Sequence, residues 1–346
     1  MRCLRLTGIR RMELADTPPP RVTTPNDVLL RVGAVGVCGS DVHYYTAGRI
    51  GSQVVQYPFI VGHEFAGTVA AVGAAVKNFR PGDRVAVDPA MPCFDCDQCR
   101  AGRPHTCRKL RFLGTPGQGE GCLCDLVVMP ASSCLRLPDG LTLEQGALIE
   151  PLSIAVYAVR LGGDVRGRTV AILGAGPIGL SVLLAARQAG AARVYVSEPI
   201  AARRAFASRA GVAWCGDPTD GLVERILQQS PLAVDAVFEC CGRQEALDQA
   251  VELLKPGGRL VLVGIPEVDR VSFSIDLLRR RELTLQNVRR QNGCVEAGLA
   301  LLEAYRDTAT AMITHRFPAA RTPEAFDLVA GYADGVIKAM VHFDQA

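Results

Sequence analysis

Residues 168–190 constrain the fold more than any other stretch of the chain. Arg168 to Leu173 is a β-rich run, Gly174-Ala175-Gly176-Pro177-Ile178-Gly179 reads G-x-G-x-x-G, and Leu180 to Ala189 continues as a helix ending at Gly190. In that context the glycines allow a tight turn, close approach of backbone to a pyrophosphate and close helix packing. The helix N-terminus adds amide donors and a positive dipole. Val194 to Ser197 form a second strand that ends at Glu198. A carboxylate there would accept hydrogen bonds from ribose hydroxyls and repel a 2′-phosphate, which points to NAD over NADP. Arg203 and Arg204 carry the opposite reading, accommodation of a phosphate, or are plain solvated charge on a helix. Later runs, Ala233 to Glu239 and Arg259 to Gly264, alternate with helical segments, the βαβ rhythm of a doubly wound parallel sheet. Val170 to Ala186 carries no charge, but it is slightly short for a membrane span and is broken by glycine and proline. A buried strand running into a core-facing helix explains it, and no transmembrane segment is expected.

Cys93, Cys96, Cys99 and Cys107 form C-x2-C-x2-C-x7-C. Thiolates two residues apart can converge on one ion, and a fourth cysteine closes an all-thiolate tetrahedron with no open position, so the spacing predicts a structural zinc. A disulfide cluster is the alternative. Thirteen cysteines in 346 residues would suit a secreted protein, yet no apolar signal region precedes a small-residue cleavage site. A reducing cytoplasm is the expected setting. Arg2, Arg5, Arg10 and Arg11 could belong to a transit peptide, but the alternation through Leu4, Leu6 and Ile9 reads as a strand and turn. The length calls for two domains. A net charge of +3 without a basic run leaves no footprint for nucleic acid, so small-molecule chemistry is expected.

From Val28 to Val87 the pattern changes to short, glycine-rich strands: Val28 to Val35, Gly67 to Val72 and Asp83 to Val87, with Pro81-Gly82 as a turn. Cys38 and the pair His63-Glu64 sit in this all-β region on what read as separate loops. One Cys, one His and one Glu make an open zinc site with a position left for water or substrate. The plainer reading is an ordinary histidine and a cysteine buried as a small hydrophobe.

Gly62-His63-Glu64-Phe65-Ala66-Gly67, the four-cysteine lobe and the glycine turn together resemble the zinc-dependent medium-chain dehydrogenases, over nearly the whole chain. Cys38-Gly39-Ser40-Asp41-Val42-His43-Tyr44-Tyr45 and Ala147-Leu148-Ile149-Glu150-Pro151-Leu152-Ser153 are similar to the sorbitol (L-iditol, polyol) dehydrogenase branch. The resemblance implies a GroES-like β-rich catalytic domain plus a Rossmann doubly wound parallel-sheet domain, with two zinc ions and NAD. It implies Cys38, His63 and Glu64 as ligands of a catalytic zinc. Glu150 would hold the zinc-bound water or become a ligand itself. Ser40 and His43 occupy the places of a proton relay, with His43 as a plain surface residue the alternative. Gly174, Gly176, Pro177, Ile178, Gly179, Glu198 and Arg203 would contact the cofactor, as would Val263, Gly264, Ile265, Val288 and Arg289. Tyr44, Phe112, Thr115, Glu150 and Arg289 would line the substrate pocket.

The chain departs from the branch at Arg290, where relatives commonly carry Tyr. A second guanidinium could recognise a carboxylate bidentately, which opens an acidic sugar derivative such as an aldonate as substrate, or it could serve only in a salt bridge. The resemblance places the catalytic domain at residues 1–151 and 288–346 with the NAD-binding domain at 152–287 between them, and implies a homotetramer or dimer. Two rivals remain: a threonine or cyclitol dehydrogenase on the same scaffold, and a non-catalytic nucleotide-binding protein of the crystallin type.

Overall fold

Val28, Leu30 and Val32 are fully buried while Arg31 between them is exposed, the period-two pattern of a strand with one face on a core. They lie on the central strand of the first unit. The computed structural model describes residues 1–343, and the chain divides into Met1–Glu150 with the residues from Ala309 onward, and Pro151–Thr308.

The first unit opens with an antiparallel hairpin, β1 (Arg2–Gly8) and β2 (Arg11–Asp16), in which Leu4 and Leu6 point inward. Its main sheet is built on β3 (Asp27–Gly36). Cys38 then caps a nine-residue helix, α1 (Gly39–Ala47), which stops at Gly48 in the left-handed conformation. This helix interrupts a region whose sequence reads as strands and loops alone. Antiparallel to β3 run β4 (Glu64–Val72) and, on the other edge of the same Val28–Arg31 stretch, β6 (Leu126–Pro130). β5 (Arg84–Val87) joins β4, and β7 (Cys134–Arg136) joins β5. The returning chain contributes two more strands, Ile313–Pro318 and Lys338–His342, the latter antiparallel to β3. Leu30, Val32, Phe65, Val85, Met129 and Phe326 belong to one core, and each fully buried aliphatic side chain contributes about 1.5–3 kcal/mol.

The second unit is a six-stranded parallel sheet. Its strands are β8 (Thr169–Leu173), β9 (Arg193–Ser197), β10 (Trp214–Gly216), β11 (Val234–Glu239), β12 (Leu254–Leu262) and β13 (Thr284–Asn287), arranged β10-β9-β8-β11-β12-β13. The order reverses at β8, so the chain leaves the carboxyl ends of β8 and its neighbours on opposite sides and opens a crevice there. β8 is covered on both faces, which is why Val170 to Leu173 is an unbroken apolar run. The helix after it, α2 (Pro177–Gln188), buries Leu180, Val182, Leu183 and Ala186.

Sequence reading ended the nucleotide-binding segment at 287, whereas the second unit extends to Thr308. After β13 the chain forms a helix, Val295–Ala304, that buries Gly298, Leu301 and Leu302 and packs against α2. The apolar stripe of that helix finds its partner in the second unit, which carries the boundary with it.

Candidate active site

Ladder register assembles the first cluster. In the β3–β4 pairing Gly36 stands opposite Glu64, so Cys38, two residues past the end of β3, meets His63 at the entrance to β4. Cys38, His63 and Glu64 can each offer one ligand atom, all within 4.8 Å of one another. Gly36 has to be bare: a Cβ there would lie 2.3 Å from Glu64 Oε2.

Two residues that sequence reasoning missed hold this cluster. Asp41, fully buried on α1, accepts a hydrogen bond from the Gly62 amide at 3.2 Å, and its Oδ1 lies 3.3 Å from His63 Nδ1. That fixes the imidazole and leaves Nε2 for a metal. Burial alone would lower the His63 pKa, but Asp41 and Cys38 outweigh it and hold it well above the usual value. Lys338 donates to Glu64 Oε2 at 2.6 Å and to the Val37 carbonyl at 3.1 Å. Burial would lower its pKa too, yet Glu64 and Cys38 raise it, so the ammonium stays charged. The Cys38 thiol is pushed up by burial first and by Glu64 second.

Glu150, in the first turn of the helix Ile149–Leu161, stands outside the 4.8 Å group but within electrostatic reach of His63 and Glu64. Burial pushes its carboxyl up to about 8, with Glu64 and Asp88 adding to the rise against His63 and Lys338. Its Oε2 is buried without a hydrogen-bond partner among the described residues. The thiol, imidazole and carboxylate donors of Cys38, His63 and Glu64 fit a zinc ion, with the unpartnered Glu150 carboxyl close enough to feel its charge.

Around this cluster, Ser40 Oγ donates to Cys38 Sγ at 3.3 Å, and His43 lies half-buried on α1. The buried Tyr44 hydroxyl donates to Gln53 Oε1 at 3.3 Å. Phe112 tilts over His63 with ring centroids 5.5 Å apart, and Thr115 is buried three residues on. Ser40, His43 and Tyr44 therefore share a helix, where the sequence suggested a loop.

In the four-cysteine lobe, Cys93 and Cys107 sulfurs lie 3.4 Å apart, Cys96 and Cys99 3.6 Å, and Cys96 and Cys107 3.8 Å. A tetrahedron with metal–sulfur bonds of about 2.3 Å has edges of about 3.8 Å, whereas a disulfide would be about 2.05 Å, so the spacing fits a zinc and the thiols are free. Backbone amides of Cys93, Arg108 and Lys109 donate to these sulfurs. Such bonds, from Arg108 foremost and Cys99, bring Cys96 down to about 6, toward the thiolate a metal needs.

In the second unit, Gly174 takes φ +99°, and a Cβ on Gly179 would lie 1.9 Å from the Gly174 carbonyl, so helix and turn meet only because both are glycine. Gly176 caps α2 and Pro177 occupies its first turn, with Ile178 half-buried beside it. Glu198, nearly sealed, accepts hydrogen bonds from the Ala175 amide at 2.7 Å and the Ile200 amide at 3.0 Å. Arg203 is buried with Nη1 3.6 Å from the place of a Gly176 Cβ. Arg204 is engaged elsewhere, donating to the carbonyls of Glu198 and Pro199 and to Asp217. Val263, Gly264 and Ile265 follow β12, with Ile265 exposed, and Val288 continues from β13 through a bond to the Leu262 carbonyl. Arg289 is exposed, and Arg290 adopts φ +57°.

The sequence matches the family described as alcohol dehydrogenase GroES-like domain over residues 24–139 and that described as zinc-binding dehydrogenase over 177–304. Human sorbitol dehydrogenase is 36% identical over 334 residues, spanning 92% of this chain and 89% of that protein. The sorbitol dehydrogenase of Bacillus subtilis strain 168 is 32% identical over 344 residues, spanning 99% and 97%. A zinc-binding dehydrogenase of Sinorhizobium meliloti 1021, solved bound to NADP, is 32% identical and superposes with a TM-score of 0.88 over 99% of each chain. An Escherichia coli oxidoreductase of unknown specificity reaches 0.93 at 29% identity over 99% of each. With metal-type donor clusters in one unit and a dinucleotide-type glycine turn in the other, the chain belongs to the zinc-dependent medium-chain dehydrogenases of the sorbitol dehydrogenase branch, alcohol oxidoreductases that work with zinc and a nicotinamide dinucleotide.

Proposed function

We propose that this enzyme oxidises a secondary alcohol of a polyol or sugar derivative to the ketone and delivers hydride to NAD. The observation that carries this reading is the convergence of Cys38, His63 and Glu64 within 4.8 Å, with the buried, unpartnered Glu150 Oε2 within their electrostatic reach. Cys38, His63 and Glu64 would hold the catalytic zinc with Glu150 beside it, and Cys93, Cys96, Cys99 and Cys107 the structural one. Bound zinc supplies a Lewis acid that lowers the pKa of the substrate hydroxyl, and bound NAD accepts the hydride. Asp41 keeps the His63 ring in one orientation, and Lys338 offsets the charge of Glu64. Glu150, whose Oε2 is buried without a hydrogen-bond partner among the described residues, would take the hydroxyl proton, and Ser40 and His43 on α1 would carry it outward. Phe112, buried against the His63 ring, would help to keep water from the cluster.

The preference for NAD rests on the Glu198 carboxylate at the end of β9. Residues 1–150 and those from Ala309 on would act as the catalytic domain and 151–308 as the NAD-binding domain. No described helix is long and apolar enough to cross a membrane, and we read the protein as a cytoplasmic homo-oligomer by analogy with its relatives. A second reading, an aldonate substrate, draws on Arg290, whose guanidinium Nη1 is buried in a turn of left-handed backbone.

NADH formation by zinc-loaded enzyme with sorbitol, xylitol, galactitol, gluconate, idonate and threonine, and with NADP in place of NAD, tests both. Turnover of a neutral polyol with NAD is expected. Silence with every polyol sinks the first reading, and a preference for aldonates that Arg290→Tyr abolishes establishes the second.

A further inference from the structure

Glu239 was not among the residues singled out by sequence, yet it occupies a distinctive place at the carboxyl end of β11, next to the strand where the sheet order reverses. Its side chain is 1% exposed. Oε1 accepts hydrogen bonds from the Cys241 amide at 2.7 Å and the Gly242 amide at 2.6 Å. Its main-chain carbonyl accepts from the Val263 amide at 2.8 Å and the Gly264 amide at 2.9 Å. One residue therefore ties the loop after β11 to the loop after β12. The fit is close: a Cβ on Gly264 would lie 2.4 Å from the Gly242 nitrogen and 2.9 Å from Glu239 Oε2. A carboxylate is costly to bury unless donors surround it, and packing alone does not require one at a strand end.

In a sheet of this order the two mononucleotide halves fall on either side of the reversal. Glu198 and the glycine turn lie on the β9 side of β8, the side that takes the adenosine. β11 and β12 lie on the other. Because Glu239 engages the amides of Cys241, Gly242, Val263 and Gly264, it fixes the position of both loops that end the strands on this side of the reversal. We propose that Glu239 is a positioning residue for the nicotinamide half of the cofactor, acting through the two loops it joins. The inference rests on the dinucleotide reading of this unit.

The test compares NADH and AMP binding to zinc-loaded wild type, Glu239→Gln and Glu239→Ala by calorimetry, alongside thermal melting. AMP reports the adenosine half alone. In Glu239→Ala, NADH affinity is expected to fall on the order of tenfold while AMP stays within about twofold, since small displacements of positioning groups carry effects of this size. Glu239→Gln, which keeps one carbonyl acceptor but loses the charge, should fold and show a smaller loss of the same kind. Unchanged NADH affinity in Glu239→Gln, or equal losses for NADH and AMP in either variant, overturns the assignment. Failure of wild type to bind NADH would instead overturn the dinucleotide reading itself.

Discussion

Lys338 Nζ and Glu64 Oε2 lie 2.6 Å apart across 274 residues of sequence, with both side chains all but sealed from solvent. Removing one partner of a buried pair leaves an uncompensated charge, which costs about 3–5 kcal/mol. Lys338→Met is therefore expected to lose stability of that order in chelator-treated protein and less in zinc-loaded protein, where a second cation faces Glu64. Denaturant unfolding under both conditions reads the difference. An equal loss with and without zinc would show that the pair is independent of the metal.

The four-thiol lobe has little apolar packing of its own, Cys107 being its one buried ligand. Cys107→Ser is expected to reduce the zinc content from two ions per chain to one. The accompanying loss of about 3 kcal/mol corresponds to a fall in melting temperature on the order of 5–10 °C. Metal analysis by mass spectrometry checks the first and calorimetry the second; two zinc ions retained would contradict the assignment of the lobe.

Asp83 carries the clearest pH signature away from the metal-type clusters. Arg136 Nη1 lies 2.5 Å from its Oδ1 and the Arg80 amide donates to Oδ2 at 2.8 Å. The hydrogen bond from Arg136 foremost holds its pKa below the ordinary 3.8, against the opposing effect of burial. A depressed carboxylate contributes stability that is full above its unfolded value and is lost as pH falls through the folded one. Asp83→Asn should therefore cost about 1–2 kcal/mol at neutral pH, with the gap to wild type closing below about pH 3.8. A gap that persists unchanged at the lowest pH where both proteins fold would assign the effect to packing.

What could be read from sequence was local. The four cysteines and the glycine turn declare themselves because their chemistry depends on short spacings. The helix α1 did not, since Gly39-Ser40-Asp41-Val42-His43-Tyr44-Tyr45 mixes glycine, a β-branched residue and aromatics of weak helix propensity, and its cap is Cys38 rather than an oxygen-bearing residue. Asp41, three residues after Cys38, is a carboxylate within the same local motif. Lys338 belongs to no such motif, because only the pairing of Lys338–His342 with β3 brings it to Glu64. Glu239 looked like any polar residue closing a strand until its four amide contacts were visible.

The insertion of one unit within the other also sets an order of assembly. The parallel sheet needs nothing beyond Thr308, whereas the first sheet lacks a strand beside β3, and Glu64 lacks its counter-charge, until residues 338–342 have been synthesised. Domains generally fold as units as the chain emerges. In this protein the half that begins first on the ribosome is the half that finishes last, so a message truncated shortly after Thr308 would yield a cofactor-type domain attached to an unfinished metal pocket.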